Sequence, residues 1–453
     1  FYDYCYARMT VTGEFEIDQS VPSGRFIVLP SGARKEVIHE MSCFDDKKPV
    51  PFDKLENQLH QLSLSGVTAI HLAGAIERSI LHRLNSVTDH TAICHACGGL
   101  EGFSKFCEHA KSLGLRVLID FSPHVSMHNW SRKYTTFQTL KVDEDGVYKT
   151  AKIPGSENML LNLRNPNLWS LFTNEMIELC NKAGVSGFYL GDVDDWDYVY
   201  PRDMRELLRR DPDGQKHYYD HNIIEGSVVI ESQKTSRCGI TSHNTTCSPF
   251  FMKMMRTLWA NRSDAFVWMK SENDLQRFVI ESGLIPQNNG LTNVLQQTID
   301  VCMRTDDLMQ ITAGSNFTSF FKRRQEQLQK GSLIITSFGA LTDGQFKMSP
   351  EGLSLAVDVL FFLNDVPLIN GCLDGAMNVP AAYEISTTTH LKQKAKKWNP
   401  PSQKFSDLLK GRAATRARAD WILSGDLNIL PVAYDTNKLD AVLAFSRQTN
   451  DGH

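Results

Sequence analysis

The chain has 453 residues, 42% of them apolar, and carries 48 basic against 52 acidic side chains for a formal charge of −4. That is enough for one large domain, or one large and one small, with a full core. No basic face stands out, so nucleic-acid binding has no support, and no run of 18 apolar residues occurs, so no membrane-spanning helix lies within the given sequence.

Strand and helix signals alternate along the chain, which implies an α/β fold with a parallel sheet. Short apolar strands are expected at 6–11, 67–73, 116–121, 187–190, 266–269, 308–312, 333–336 and 367–370, and eight is the count of a closed (β/α)8 barrel. Amphipathic stretches lie between them. Leu55, Leu59 and Leu62 follow Asp53, read as a helix N-cap, and Leu168, Phe172, Met176 and Cys180 follow Asn165-Pro166, a cap plus a proline at the first helical position. Ser349-Pro350 opens another helix the same way, and the apolar run 353–363, broken by Asp358, reads as buried helix.

Two connections are long: 122–161 is short of a domain and polar, and 192–263 is rich in Asp, Tyr and Arg. The barrel is expected to occupy 1–381. A polar, lysine-rich linker follows at 382–402, and 403–453 holds a basic helix and two alternating strands, 427–434 and 439–447, the start of a small β domain.

Five motifs then occur in a fixed order. Segment 66–73 reads GVTAIHLA; 98–114 reads GGLEGFSKFCEHAKSLG; 114–130 reads GLRVLIDFSPHVSMHNW; 162–166 reads NLRNP; and 183–193 reads AGVSGFYLGDV. In that order and spacing the chain resembles the α-amylase family of glycoside hydrolases. The last segment resembles that family's fourth-strand motif, with Gly187, Phe188, Leu190 and Val193 in place. Tyr189 stands where the motif has Arg, and Gly191 where it has the nucleophilic Asp. The fifth-strand segment 265–271, AFVWMKS, puts Lys270 at the acid/base Glu, and the seventh-strand Asn-His-Asp is not found at 331–339. Retaining glycosidases use two carboxylates about 5–5.5 Å apart, one as nucleophile and one as acid/base. With a hydrogen and an ammonium group at those positions, the chain is expected to be a pseudo-enzyme of the family, a (β/α)8 TIM barrel with a reduced B domain at 122–161 and a partial C-terminal β domain.

Other side chains invite chemistry and are read more plainly. Asp120 survives from the third-strand motif as an organiser of the pocket. Asp192, Asp194, Asp195 and Asp197 lack the fixed loop of a calcium site and read as a solvated loop. His124 and His128 fall in a loop rather than on a helix face, so metal is not assigned there, and Lys270 reads as a barrel-mouth salt bridge rather than a nucleophilic amine. Of the ten cysteines, Cys94 and Cys97 form a C-x-x-C without a second pair at zinc spacing, hence a free pair or a disulfide. Cys180 reads as a free core thiol, and Cys238 with Cys247 as a local disulfide candidate. Sequons at Asn129, Asn244, Asn261 and Asn316 are glycosylation candidates. No cofactor motif is present.

Within the α-amylase family, the heavy subunits of heteromeric amino-acid transporters have the pattern seen here: altered catalytic positions and a reduced B domain. The resemblance implies the extracellular domain of a single-pass type II glycoprotein at the cell membrane. It would carry one signal-anchor helix and a linking cysteine upstream of Phe1, and be disulfide-bonded to a polytopic light chain that it traffics and stabilises. Two alternatives stay open. One is a secreted or surface carbohydrate-binding pseudo-glycosidase using Trp130, Trp196, Tyr198 and Tyr200 as platforms. The other is an active α-glucosidase, which positions 191 and 270 oppose.

Overall fold

The computed structural model describes residues 2–4, 7–9, 15–17, 24–45, 48–79, 86–128, 132–138, 140–142, 148–150, 157–159, 161, 163, 165–192, 223–224, 240–270, 284–288, 333–338, 357–363, 365–369, 403–419, 422–423, 426–429 and 445–448. Eight parallel strands close into a barrel: β1 (Ile38–Ser42), β2 (Ala69–Ala73), β3 (Arg116–Asp120), β4 (Gly187–Asp192), β5 (Phe266–Lys270), β6 (Ile285–Asn288), β7 (Ile335–Phe338) and β8 (Val366–Ile369). Each pairs with the next in sequence, and β8 closes on β1 through Leu368 opposite Ile38.

Side chains alternate across each strand. Ile38, Ala69, Leu118, Phe266, Ile335 and Leu368 point inward and pack together inside the barrel. Their neighbours Ile70, Leu72, Val117, Ile119, Phe188 and Val267 point outward into a larger core under the helices. Burial on both faces explains why most of these strands read as continuous apolar runs.

Two expected strands are corrected. Residues 7–9 pair with 15–17 in an antiparallel hairpin outside the barrel, and the first barrel strand is IHEMS at β1. The sixth strand is IPQN at β6, while 308–312 lies outside the described residues. Both true strands carry polar residues (His39 and Glu40, Gln287) or a proline, so an apolar-run criterion passes over them.

The helices follow their sequence signals. In α1 (Phe52–Leu64) the buried residues are Phe52, Leu55, Leu59 and Leu62, but the expected cap is corrected: Asp53 is not the N-cap, which is Pro51, and lies inside the first turn, where its carboxylate meets the positive helix end. In α2 (Gly99–Ser112), Phe103, Phe106 and Ala110 face the core. In α3 (Pro166–Ala183), Asn165 caps the start by accepting from the Asn167 N–H at 2.9 Å, and Gly184 at φ 76° ends it. Ser349-Pro350 lies outside the described residues, while 357–362 is helical as expected.

The 192–263 excursion is shorter than it reads, because its last part is α4 (Ile240–Asn261). This helix packs on α3, with the Trp169 and Phe250 rings 5.6 Å apart. The basic helix is α5 (Gln403–Arg418), and it docks on the barrel rather than standing apart. Its Arg416 is 1% exposed and donates to the carbonyls of Phe361 (3.2 Å), Leu363 (2.5 Å), Arg34 (3.1 Å) and Asp365, at the start of β8 and the turn before β1. Gly66, at φ 85°, lies where an added Cβ would strike Ala413 of α5. Residues 382–402 lie outside the described residues. Beyond α5, strands 426–429 and 445–448 pair antiparallel. Among the described residues no helix is long and apolar enough to cross a membrane.

Candidate functional site at the barrel mouth

Inward side chains of β1 to β6 meet below the C-terminal end of the barrel: Glu40, His71, Tyr189 and Trp268 at mid-strand, with Asp120 at the end of β3 and Gln287 next to the end of β6. In a barrel of this kind that end is where chemistry is built. His71 sits between two carboxylates, with Nε2 3.3 Å from Asp120 Oδ1 and Nδ1 4.0 Å from Glu40 Oε2. Its ring meets Tyr189 edge-on at 5.1 Å and Trp268 at 5.1 Å, and those two rings lie 5.4 Å apart. Trp268 is fully buried, its indole N–H donating to Gln287 Oε1 at 3.1 Å.

Asp120 is 3% exposed. Burial by itself would raise its pKa, but the Arg78 guanidinium, His71 and the Gly74 N–H (3.0 Å) outweigh it and hold the carboxyl below its usual range. Arg78 is itself 5% exposed. Asp120 is therefore an ionised, buried carboxylate clamped by a cation.

The three altered motif positions come together here. Tyr189 points inward. Gly191 lies at φ 77°, where the β4–β5 register shifts between Tyr189 and Asp192, and Lys270 ends β5 beside Asp192 and Gln287. Sequence reasoning missed Glu40, His71, Arg78 and Gln287. A period-2 reading of AIHLA would have put His71 on the inner face with Ala69; Glu40 and Gln287 went with the two missed strands.

The remaining candidates fall elsewhere. Asn261 is exposed at the end of α4, its side-chain amide donating to Thr257 O at 2.8 Å. Asn244 and Cys247 lie on α4, while Asn129, Asn316, Cys238, Trp130, Trp196, Tyr198, Tyr200, Asp194, Asp195 and Asp197 lie outside the described residues. Cys94, Cys97 and Cys180 are buried free thiols, so of the two readings of the C-x-x-C pair the free one holds. His124 is 2% exposed, and burial pushes its pKa down to about 4.

No protein-family profile matches the chain, and no curated protein does. Solved structures do. A cyclomaltodextrinase aligns at TM-score 0.64 and 13% identity over 94% of this chain and 69% of its own. The cyclic alpha-maltosyl-(1→6)-maltose hydrolase of Arthrobacter globiformis aligns at 0.63 and 14% over 93% and 90%. A maltogenic alpha-amylase from Thermotoga neapolitana aligns at 0.62 and 15% over 92% and 84%. The fold is the (β/α)8 barrel of α-amylase-type enzymes.

This corrects the expectation that the chain is a pseudo-enzyme. The structures that share its barrel are glycoside-processing enzymes by name, so the altered residues at 189, 191 and 270 do not place it among non-enzymes. The physical reason is that motif positions on two strands are not the only source of carboxylates. A barrel mouth gathers side chains from eight strands, and here Glu40 and Asp120 both face it.

Proposed function

We propose that this chain is the extracellular part of the heavy subunit of a heteromeric amino-acid transporter, which brings a polytopic light chain to the cell surface and stabilises it there. The observation that carries the reading is an amylase-type barrel whose insertion between β3 and α3 is short. The test is the full-length protein isolated from membranes in mild detergent. It should carry a multi-spanning protein that separates from it on a denaturing gel only after reduction. A single band of unchanged mobility with and without reductant, and no second protein, would overturn the reading.

A second reading has one observation in its favour, the carboxylate–imidazole–carboxylate arrangement at the mouth of a barrel whose structural relatives process α-glucans. In it Glu40 and Asp120 would do the acid/base work on an α-glucan. Turnover of maltodextrins that falls by at least about 100-fold in Glu40→Gln is the expected result for this reading, the ordinary scale for losing a general acid or base. Turnover insensitive to Glu40 would exclude it.

A further inference from the structure

Away from the barrel mouth, a chain of buried polar groups joins three elements: the strand 87–93, the 3-10 turn Arg132–Phe137 and α3. Ser122 O lies 2.6 Å from His90 Nε2; His90 Nδ1 lies 2.8 Å from the Tyr134 hydroxyl; and that hydroxyl lies 2.9 Å from Glu175 Oε1. His90 and Tyr134 are fully buried and Glu175 is 3% exposed. The rings of Phe121 and Phe172 cover His90 at 4.5 and 5.1 Å.

Three contacts at these distances need three bridging protons. Ser122 O only accepts, so Nε2 must carry one. A second must lie between Nδ1 and the Tyr134 oxygen, and a third between that oxygen and Glu175. A neutral imidazole, a phenol and a carboxylate together supply only two. The missing proton is supplied either by Glu175 as a carboxylic acid, donating to Tyr134, which then donates to Nδ1, or by His90 as an imidazolium. The count is the same in both cases. Without it, one contact sets lone pair against lone pair in a site that water does not reach, a penalty ordinarily avoided in folded proteins.

The surrounding charges do not replace the proton. Lys133 donates to Glu175 Oε1 at 3.2 Å, to Asp89 Oδ1 at 2.8 Å and to Thr91 Oγ1 at 3.1 Å, so its charge is divided between two carboxylates. Asp89 and Arg78 also act on His90 through space, with opposite signs. Glu175 Oε2 is buried with no hydrogen-bond partner and lies 3.8 Å from His90 Nδ1.

We propose that the Ser122–His90–Tyr134–Glu175 chain is a proton-dependent latch that holds the 132–137 turn against α3 while it carries one proton beyond the ordinary complement of its groups. Burial favours Glu175 as the carrier. It pushes the Glu175 carboxyl up to about 7, against the pull of Lys133 and Tyr134, and drives the His90 imidazole down to about 4. The sign follows from the raised carboxyl. Opened, Glu175 releases its proton near its ordinary 4.5; latched, it keeps it to about 7. Closure therefore takes up a proton in that window. The latch is strongest at the acid end and weakens as pH rises through it, levelling off above. Such a device would let the 132–137 turn loosen between a mildly acidic and a neutral compartment.

The test is hydrogen exchange of the 132–138 backbone in the whole chain, corrected for intrinsic exchange, between pH 5 and 8. The opening constant should rise about tenfold per pH unit up to about 7 and then flatten, the slope of one proton. Glu175→Gln supplies an N–H to Tyr134 at every pH, so its profile should be flat across the window. A wild-type profile without the rise, or the same rise in Glu175→Gln, would overturn the proposal. Should the variant fail to fold, infrared titration of the wild type decides. A carboxylic-acid C=O band lost with the same midpoint as the exchange protection supports the latch, and its absence at pH 5.5 to 6.5 rejects it.

Discussion

Arg416→Met is expected to destabilise the chain by about 3–5 kcal/mol, the scale of removing one partner from a buried charged network. The guanidinium holds the carbonyls of Phe361, Leu363, Arg34 and Asp365 and is 1% exposed. Methionine fills much of the stem volume but donates nothing, so four carbonyls lose a charged donor in a site closed to water. The loss falls where the chain closes on itself, since α5 meets both the start of β8 and the turn before β1. Nearby, Arg412 pairs with Asp358 and Arg34 donates to Leu423 O at 3.4 Å, but both pairs are more exposed and screened. Arg412→Met should therefore cost about 1 kcal/mol or less. Thermal unfolding of the two variants side by side checks the argument: a drop of roughly 3–5 °C for Arg416→Met and of about 1 °C or less for Arg412→Met. Equal shifts would mean that Arg416 acts as one surface charge among several.

Gly187→Ala is expected to cost roughly 3 kcal/mol or more, at the upper end of overpacking penalties. Gly187 lies on the inner face of β4, opposite Leu118 of β3 and Phe266 of β5. A Cβ there would run into the Phe266 backbone carbonyl and stand 2.9 Å from Leu118 Cδ2. The leucine can move, but the carbonyl belongs to the parallel ladder and cannot shift without opening the barrel wall. The double variant Gly187→Ala with Leu118→Ala separates the two. It should recover little stability in urea unfolding, because the side chain was not the main obstacle. Full recovery would shift the cause from the ladder to the leucine.

Much of the barrel was legible in the sequence, and the parts that were not share a cause. Strands β2 to β5, β7 and β8 are apolar on both faces and stand out as short runs. β1 and β6 do not, because Glu40 faces the mouth and Pro286-Gln287 interrupts β6. Polar mouth groups thus erase the strand signal that would reveal them. Helix α3 was read nearly residue by residue, since its cap, its proline and its 3.6-residue stripe agree. Helix α5 was placed beyond the barrel because it follows a polar, lysine-rich stretch at 382–402 and precedes two alternating strands. Nothing in QKFSDLLKGRAATRAR marks Arg416 as the residue that goes inside. The mouth was read through motif positions 189, 191 and 270, and the structure does gather them. Those positions supported a non-enzyme, which the comparison with working glycoside-processing barrels corrects. The Glu40–His71–Asp120 set depends on three strands meeting, and that meeting is a property of closure rather than of any local segment.

The proposed role in carrying a transporter light chain is tested most directly by the surface level of a multi-spanning amino-acid transporter. Cells would express it with and without the full-length protein, and it would be labelled from outside by a membrane-impermeant reagent. The expected result is several-fold more labelled transporter when the two are co-expressed, with both proteins recovered together and separated by reductant. Unchanged labelling across the candidate transporters, with the full-length protein recovered alone, would contradict the account and leave the glucan-processing reading of the barrel mouth in its place.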